Sequence, residues 1–170
     1  MAAVDEIYAY GVTDGDRHLR ELFRTRKDGS SAIETIAKDV KWGAVTTDST
    51  SIYWTEDVLA GSINRCPLAG CSGASEVVTG PLRSPSNLLI DGSDLYYVYE
   101  AKPYENSLAF CSLPACMPSL PLFEKLVTPS PLAMDDQYLY LATSEQDFRD
   151  STSDFSAQIR RLPKPNRGQP

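Results

Sequence analysis

The sequence has no long apolar run. Nothing in its 170 residues approaches the ~20 consecutive apolar residues of a membrane-spanning helix, so none is expected. Positive charge is scarce: 16 Lys and Arg stand against 23 Asp and Glu, a net charge of -7 with a pI near 4.7, which argues against a nucleic-acid partner. The dense basic runs, "RTRK" from Arg24 and "RRLPKPNR" from Arg160, are short and read as solvated strand edges and tail. Histidine is almost missing, with His18 alone, and the chain carries no Gly-x-Ser-x-Gly elbow, P-loop, dinucleotide fingerprint or His-Glu-x-x-His. No stretch sustains a 3.6-residue apolar period. "DRHLRELFRTRK", from Asp16, comes nearest and reads as a loop running into a strand. The opening "MAAVDEIYAY" lacks the charged and apolar regions of a signal peptide.

What the sequence does have is a repeat. "DSTSIYWTE" begins at Asp48, "DGSDLYYVYE" at Asp91 and "DDQYLYLATSE" at Asp135, spaced 43 and 44 residues apart. A fainter copy, "DEIYAYG", begins at Asp5, with a turn that reads two residues shorter. Downstream come "LFRTRKDG", "INRCPLAGC", "LAFCSLPAC" and "IRRLPKPN"; "AIETIA", "SEVVTG" and "LFEKLVT" follow in the first three units. Each unit therefore reads as strands A to D, with pleat-fitting residues in the strands and Gly, Pro, Asp and Ser at the joins. A period of ~40–45 residues with four strands per unit predicts an all-β fold, a β-propeller of about four blades. A single domain over 5–163 is expected, with repeats near 5–43, 44–86, 87–130 and 131–163 and a disordered tail over 164–170. The repeated Asp is placed to accept backbone N–H groups two residues on, in an Asx-turn that folds strand B back.

The segments "SIYWTE", "LYYVYE" and "LYLATSE" at this period resemble the YWTD-type β-propellers of lipoprotein-receptor ectodomains. With "CPLAGC" added, the chain is also similar to bacterial secreted repeat proteins with cysteine-bracketed blade turns. The family's final Asp is Glu56 here. The resemblance implies a secreted ligand-binding, scaffolding or sensing module.

Four cysteines fall in two pairs, Cys66 with Cys71 and Cys111 with Cys116, bracketing "PLAG" and "SLPA". Across a hairpin, facing residues lie ~4.5–5.5 Å apart, within disulfide reach. Disulfides are favoured over free thiols and over a metal or redox site, because C-x₄-C departs from the C-x₂-C of zinc ribbons. Paired cysteines place the chain outside the cell, in a periplasm or at a cell surface, as a piece of a longer secreted protein.

Chemistry is sparse. His18, with Asp14, Asp16 and Glu21, supports an alternative reading as a propeller lyase or hydrolase. Glu145, Asp147, Asp150 and Asp154 sit in the long fourth-unit loop without the regular spacing of a calcium site. No metal and no cofactor is expected. Trp54, Tyr97 and Leu141 share one position of strand B, and Tyr53, Tyr96 and Tyr140 another; one of the two sets is expected between blades. Where strand B opens into the B–C loops stand Glu56, Tyr99, Glu100 and Tyr104, the candidate contacts for a protein or glycan ligand. Strand A looks doubtful in the first unit, and strand D is missing from the fourth. An arc that self-associates, or one completed by further blades of a longer chain, is therefore expected beside a closed four-bladed ring.

Overall fold

The computed structural model describes residues 2–13, 20–41, 43–71, 75–114, 116, 119–126, 132–145 and 156–165. All elements among them are strands, in four antiparallel sheets. The first sheet orders β1 (Ala2–Val4), β2 (Tyr8–Val12), β3 (Arg20–Arg26) and β4 (Glu34–Val40). The second orders β5 (Val45–Thr47), β6 (Ser51–Thr55), β7 (Gly61–Pro67) and β8 (Glu76–Leu82). The third orders β9 (Ser86–Asp91), β10 (Asp94–Lys102), β11 (Glu105–Ser112) and β12 (Leu120–Leu126). The fourth has three strands, β13 (Leu132–Met134), β14 (Tyr138–Glu145) and β15 (Ser156–Pro163). The A strands are neighbours in the series β1, β5, β9, β13, so the sheets stand as successive blades of an open arc.

The core lies between blades, because strand faces alternate and each blade buries one face on either side. Tyr10, Leu22 and Ile36 of the first blade pack on Ile52, Trp54 and Cys66 of the second. Tyr53 and Ile63 of the second pack on Leu95, Tyr97 and Cys111 of the third. Tyr96, Val98 and Leu108 of the third pack on Leu139 and Leu141 of the fourth. Trp54, Tyr97 and Leu141 are therefore core facing the preceding blade, and Tyr53 and Tyr96 core facing the following one, whereas Tyr140 is only partly covered. Fully burying each such side chain contributes about 1.5–3 kcal/mol, which makes these seams the main source of stability.

The first blade does have its strand A, since Ala2–Val4 pairs with β2 in the register Val4 to Ala9. Its turn is not shortened: Asp5 N donates to Tyr8 O as Asp48 N donates to Ser51 O, both at 3.0 Å. That register aligns Tyr10, not Tyr8, with Tyr53. Beyond β15, Lys164 donates its N–H to Gln137 O at 3.0 Å and its Nζ to Asp91 Oδ2 at 2.8 Å. Residues 166–170 lie outside the described residues.

Both disulfides form, Cys66–Cys71 with Cα atoms 5.4 Å apart and Cys111–Cys116 at 4.7 Å. They do not tie strand C to strand D across a short hairpin. Strand D begins only at Glu76 and Leu120, so each bridge closes the first turn of a longer C–D connection. Cys71 N lies 3.4 Å from Ile36 O of the preceding blade, which sets this turn against the blade seam.

Candidate ligand-binding face

Among the described residues, the third blade has the longest paired B and C strands. β10 and β11, of nine and eight residues, pair from Asp94–Ser112 out to Lys102–Glu105, leaving Pro103 and Tyr104 at the tip. Proline suits the first central position of a type II turn, and the second requires φ > 0, which normally selects Gly or Asn. Tyr104 fills that place with φ +65°. Its N–H donates to Glu100 Oε1 at 2.8 Å, while Arg83 Nε donates to Glu100 Oε2 at 2.5 Å and Glu100 N to Arg83 O at 2.8 Å. Arg83 and, after it, the Tyr104 N–H hold the Glu100 carboxyl below its ordinary range, so it is an anion at neutral pH. Arg83 belongs to the connection from β8 to β9, and the hairpin tip is thereby anchored to the seam between two blades. The Tyr104 side chain is left 86% exposed.

The other proposed contacts fare differently. Tyr99 is half-buried, its ring 6.0 Å from that of Tyr97, and it supports the core between the second and third blades. Glu56 donates its N–H to Ser62 O at 2.8 Å and faces a cleft of about 530 Å³ between the first and second blades, beside Trp54, Lys38 and Ser75. The structure thus gathers Tyr99, Glu100 and Tyr104 on one hairpin and sets Glu56 apart. The second blade's B–C loop, in which Glu56 stands, is tied to the β8–β9 connection by Ser84 N on Val58 O at 2.9 Å.

The opposite face carries the A–B turns. Asp5 accepts the N–H of Ile7 at 2.7 Å and of Tyr8 at 2.6 Å, and the Tyr10 hydroxyl at 2.5 Å. Asp48 repeats this with Thr50, Ser51 and Tyr53, and Asp135 with Gln137, Tyr138 and Tyr140. The Asx-turn is therefore present in three units, each completed by a tyrosine five residues on. That Asp-to-Tyr spacing recurs in all four units of the sequence and was the signal available for this clamp. Burial raises the Asp5 and Asp48 carboxyls, but the donated hydrogen bonds outweigh it and leave both lowered. Burial, and then the Asp5 carboxylate, push the Tyr10 phenol well above its ordinary range. Arg24 lies over the Tyr8 ring at 4.7 Å, pairs with Glu34 at 2.7 Å, and donates to the carbonyl of Leu68 in the next blade. Groups so fully committed hold the fold together.

His18, Asp14 and Asp16 lie outside the described residues, as do Asp147, Asp150 and Asp154. Glu21 accepts the Thr35 hydroxyl at 2.9 Å and lies 3.9 Å from Lys38. Among the described residues no group of three His, Cys, Asp or Glu side chains is placed to hold a metal ion, and no helix is long and apolar enough to cross a membrane.

No protein-family model matches the sequence, and no curated protein matches it. Solved structures do resemble it. The propeller in the nidogen–laminin complex aligns at 17% identity with a TM-score of 0.67, covering 84% of this chain and 55% of that one. The β-propeller domain of the trilobed protease from Pyrococcus furiosus, described as having an open velcro topology, aligns at 9% identity and TM-score 0.59, covering 96% and 55%. A prolyl endopeptidase aligns at 14% identity and TM-score 0.60, covering 95% of this chain and 26% of that one. The chain thus spans about half, or less, of these proteins. With its own four sheets in series, these likenesses establish a β-propeller arc that resembles the YWTD type.

Proposed function

We propose that this arc is a secreted, non-enzymatic binding module that takes a protein partner on its B–C loop face, with Tyr104 as the anchor. The observation that carries this is Tyr104 itself: a bulky residue with φ +65°, locked by the Glu100–Arg83 pair and 86% exposed. Non-glycine residues at positive φ cost about 1–3 kcal/mol and persist where the surroundings over-determine them, which is characteristic of functional positions. A rigid, exposed tyrosine is also a favoured hot-spot side chain, since it buries large area at little entropic loss. The two disulfides support an oxidising, extracellular setting.

The test is surface capture of purified extracellular proteins and glycans on the immobilised chain, in wild type and Tyr104→Ala. A protein binder that loses roughly tenfold or more in affinity with the variant supports the reading. Capture that survives Tyr104→Ala unchanged, or that is confined to glycans, overturns it.

A further inference from the structure

The blades repeat closely enough to show what each seam needs. Toward the following blade, strand B presents Tyr10, Tyr53 and Tyr96, and strand C presents Leu22, Ile63 and Leu108, paired with Val12, Thr55 and Val98. All six are at most 2% exposed, because the next blade covers them. In the fourth blade Ile159 pairs with Ala142 at the same register, yet it is 80% exposed. Tyr140, clamped to Asp135 as its counterparts are clamped, is only partly covered. The fourth blade carries a face built to receive another blade.

We infer that this face docks the first blade of a second copy of this chain. The first blade offers the matching open face: Val4 is 64% exposed, and Phe23 covers Gly11, where the later blades carry Trp54, Tyr97 and Leu141. The charges match by register. Each blade sends one N–H from just beyond strand C back to its A–B turn: Lys27 to Ile7, Leu68 to Thr50, Leu113 to Ser93 and Lys164 to Gln137, at 2.7–3.0 Å. The middle blades put leucine there and the end blades lysine. Lys164 uses its ammonium to reach Asp91, the turn aspartate of the preceding blade, at 2.8 Å. No blade precedes Lys27 among the described residues; its Nζ rests on Asp5 O at 2.7 Å in an exposed bond. In a docked copy the corresponding turn aspartate is Asp135. Arg161 completes the match. It pairs with Tyr140 and lies over Tyr138 at 4.3 Å, as Arg24 pairs with Tyr10 and lies over Tyr8. Arg24 donates to the Leu68 carbonyl across its seam, so Arg161 meets the Lys27 carbonyl of the copy. This contact joins unlike ends, so it is self-limiting where the rotation closes a ring.

Sedimentation of the full chain from nanomolar to high micromolar concentration tests it. The mass is expected to rise from 18.7 kDa to a multiple of that value. Ile159→Asp should lower the association constant by on the order of a hundredfold while leaving the circular dichroism unchanged, whereas Tyr104→Ala should not affect it. In a mixture of isotopically light and heavy chains, carbodiimide should couple Lys27 of one copy to Asp135 of another. A chain that stays at 18.7 kDa throughout assigns the face to some other blade and overturns the inference. So does association that survives Ile159→Asp or yields no Lys27–Asp135 link.

Discussion

Replacing Asp48 with alanine removes one carboxylate and strands several donors. It accepts the N–H groups of Thr50 and Ser51, each at 2.7 Å, the Thr50 hydroxyl at 2.9 Å and the Tyr53 hydroxyl at 2.8 Å. The turn donors are near solvent and can rehydrate, so losing them costs about as much as losing a helix cap, roughly 1 kcal/mol. Tyr53 is different: it is only 2% exposed, and a buried hydroxyl left without its acceptor costs about 1–3 kcal/mol. The sum is about 2–4 kcal/mol, or a drop of roughly 4–16 °C in Tm for a domain of this size. Asp135→Ala breaks the same bonds around Tyr140, but on an uncovered face where water replaces them, and should cost less. Urea unfolding followed by tryptophan fluorescence, in an Ile159→Asp background that keeps the chain monomeric, gives both values. Equal losses at the two sites would refute the claim that burial of the tyrosine sets the magnitude. The same measurement has a pH arm. The folded Asp48 carboxyl titrates below its unfolded counterpart, because the donated bonds outweigh burial. Its contribution is therefore complete above the ordinary aspartate pKa of about 3.9 and is lost as pH falls through the folded value. Wild type and Asp48→Ala should converge in acid.

Two further outcomes follow from the seams and turns. Non-reducing peptide mass spectrometry should find only Cys66–Cys71 and Cys111–Cys116 links, and reduction should cost about 2 kcal/mol per bridge, lowering Tm without abolishing the sheet signal; a Cys66–Cys111 link would refute the blade register. Gly43→Ala should destabilise by about 3 kcal/mol, because its Cβ would stand 2.0 Å from the Thr55 carbonyl oxygen and backbone must move, whereas Gly11→Ala meets only the Phe23 ring at 2.9 Å and should cost about 1 kcal/mol; comparable losses would show that the Phe23 ring cannot yield.

Most of the architecture was legible because the repeat writes the same register several times. Asp, a tyrosine five residues on and a cysteine or arginine on strand C mark the blades without any structure. The first blade was misread for a local reason: "IYAY" can be laid on "IYW" with either tyrosine, and the five-residue spacing from Asp5, matched by the strand pairing, is what gives Tyr10 the place of Tyr53. The cysteine loops were misread because a short spacing between cysteines says nothing of where strand D begins. The candidate face was half legible. Tyr104 and Glu100 could be named from their place after strand B, but Arg83, which locks them, sits in a connection that no repeat marks. Glu56 holds the strand position of Tyr99 but stands in a different cleft, because which cleft a strand-end side chain enters depends on the neighbouring blade.

The third blade shows how a repeated residue can be reassigned without losing the fold. Asp91 occupies the repeat position of Asp5, Asp48 and Asp135, but it is the last residue of β9 and pairs with Asp94 across a two-residue turn. Gly92 enters that turn at φ +59°, a conformation glycine adopts without strain, so the chain reverses by backbone geometry. A carboxylate is then not required to gather the turn's N–H groups. It lines the cleft between the third and fourth blades, where Lys164 of the fourth blade closes on it at 2.8 Å. Lys164 in turn fixes the end of strand C by its own N–H on Gln137. The third blade thus turns on a glycine and presents its aspartate to an ion pair between blades.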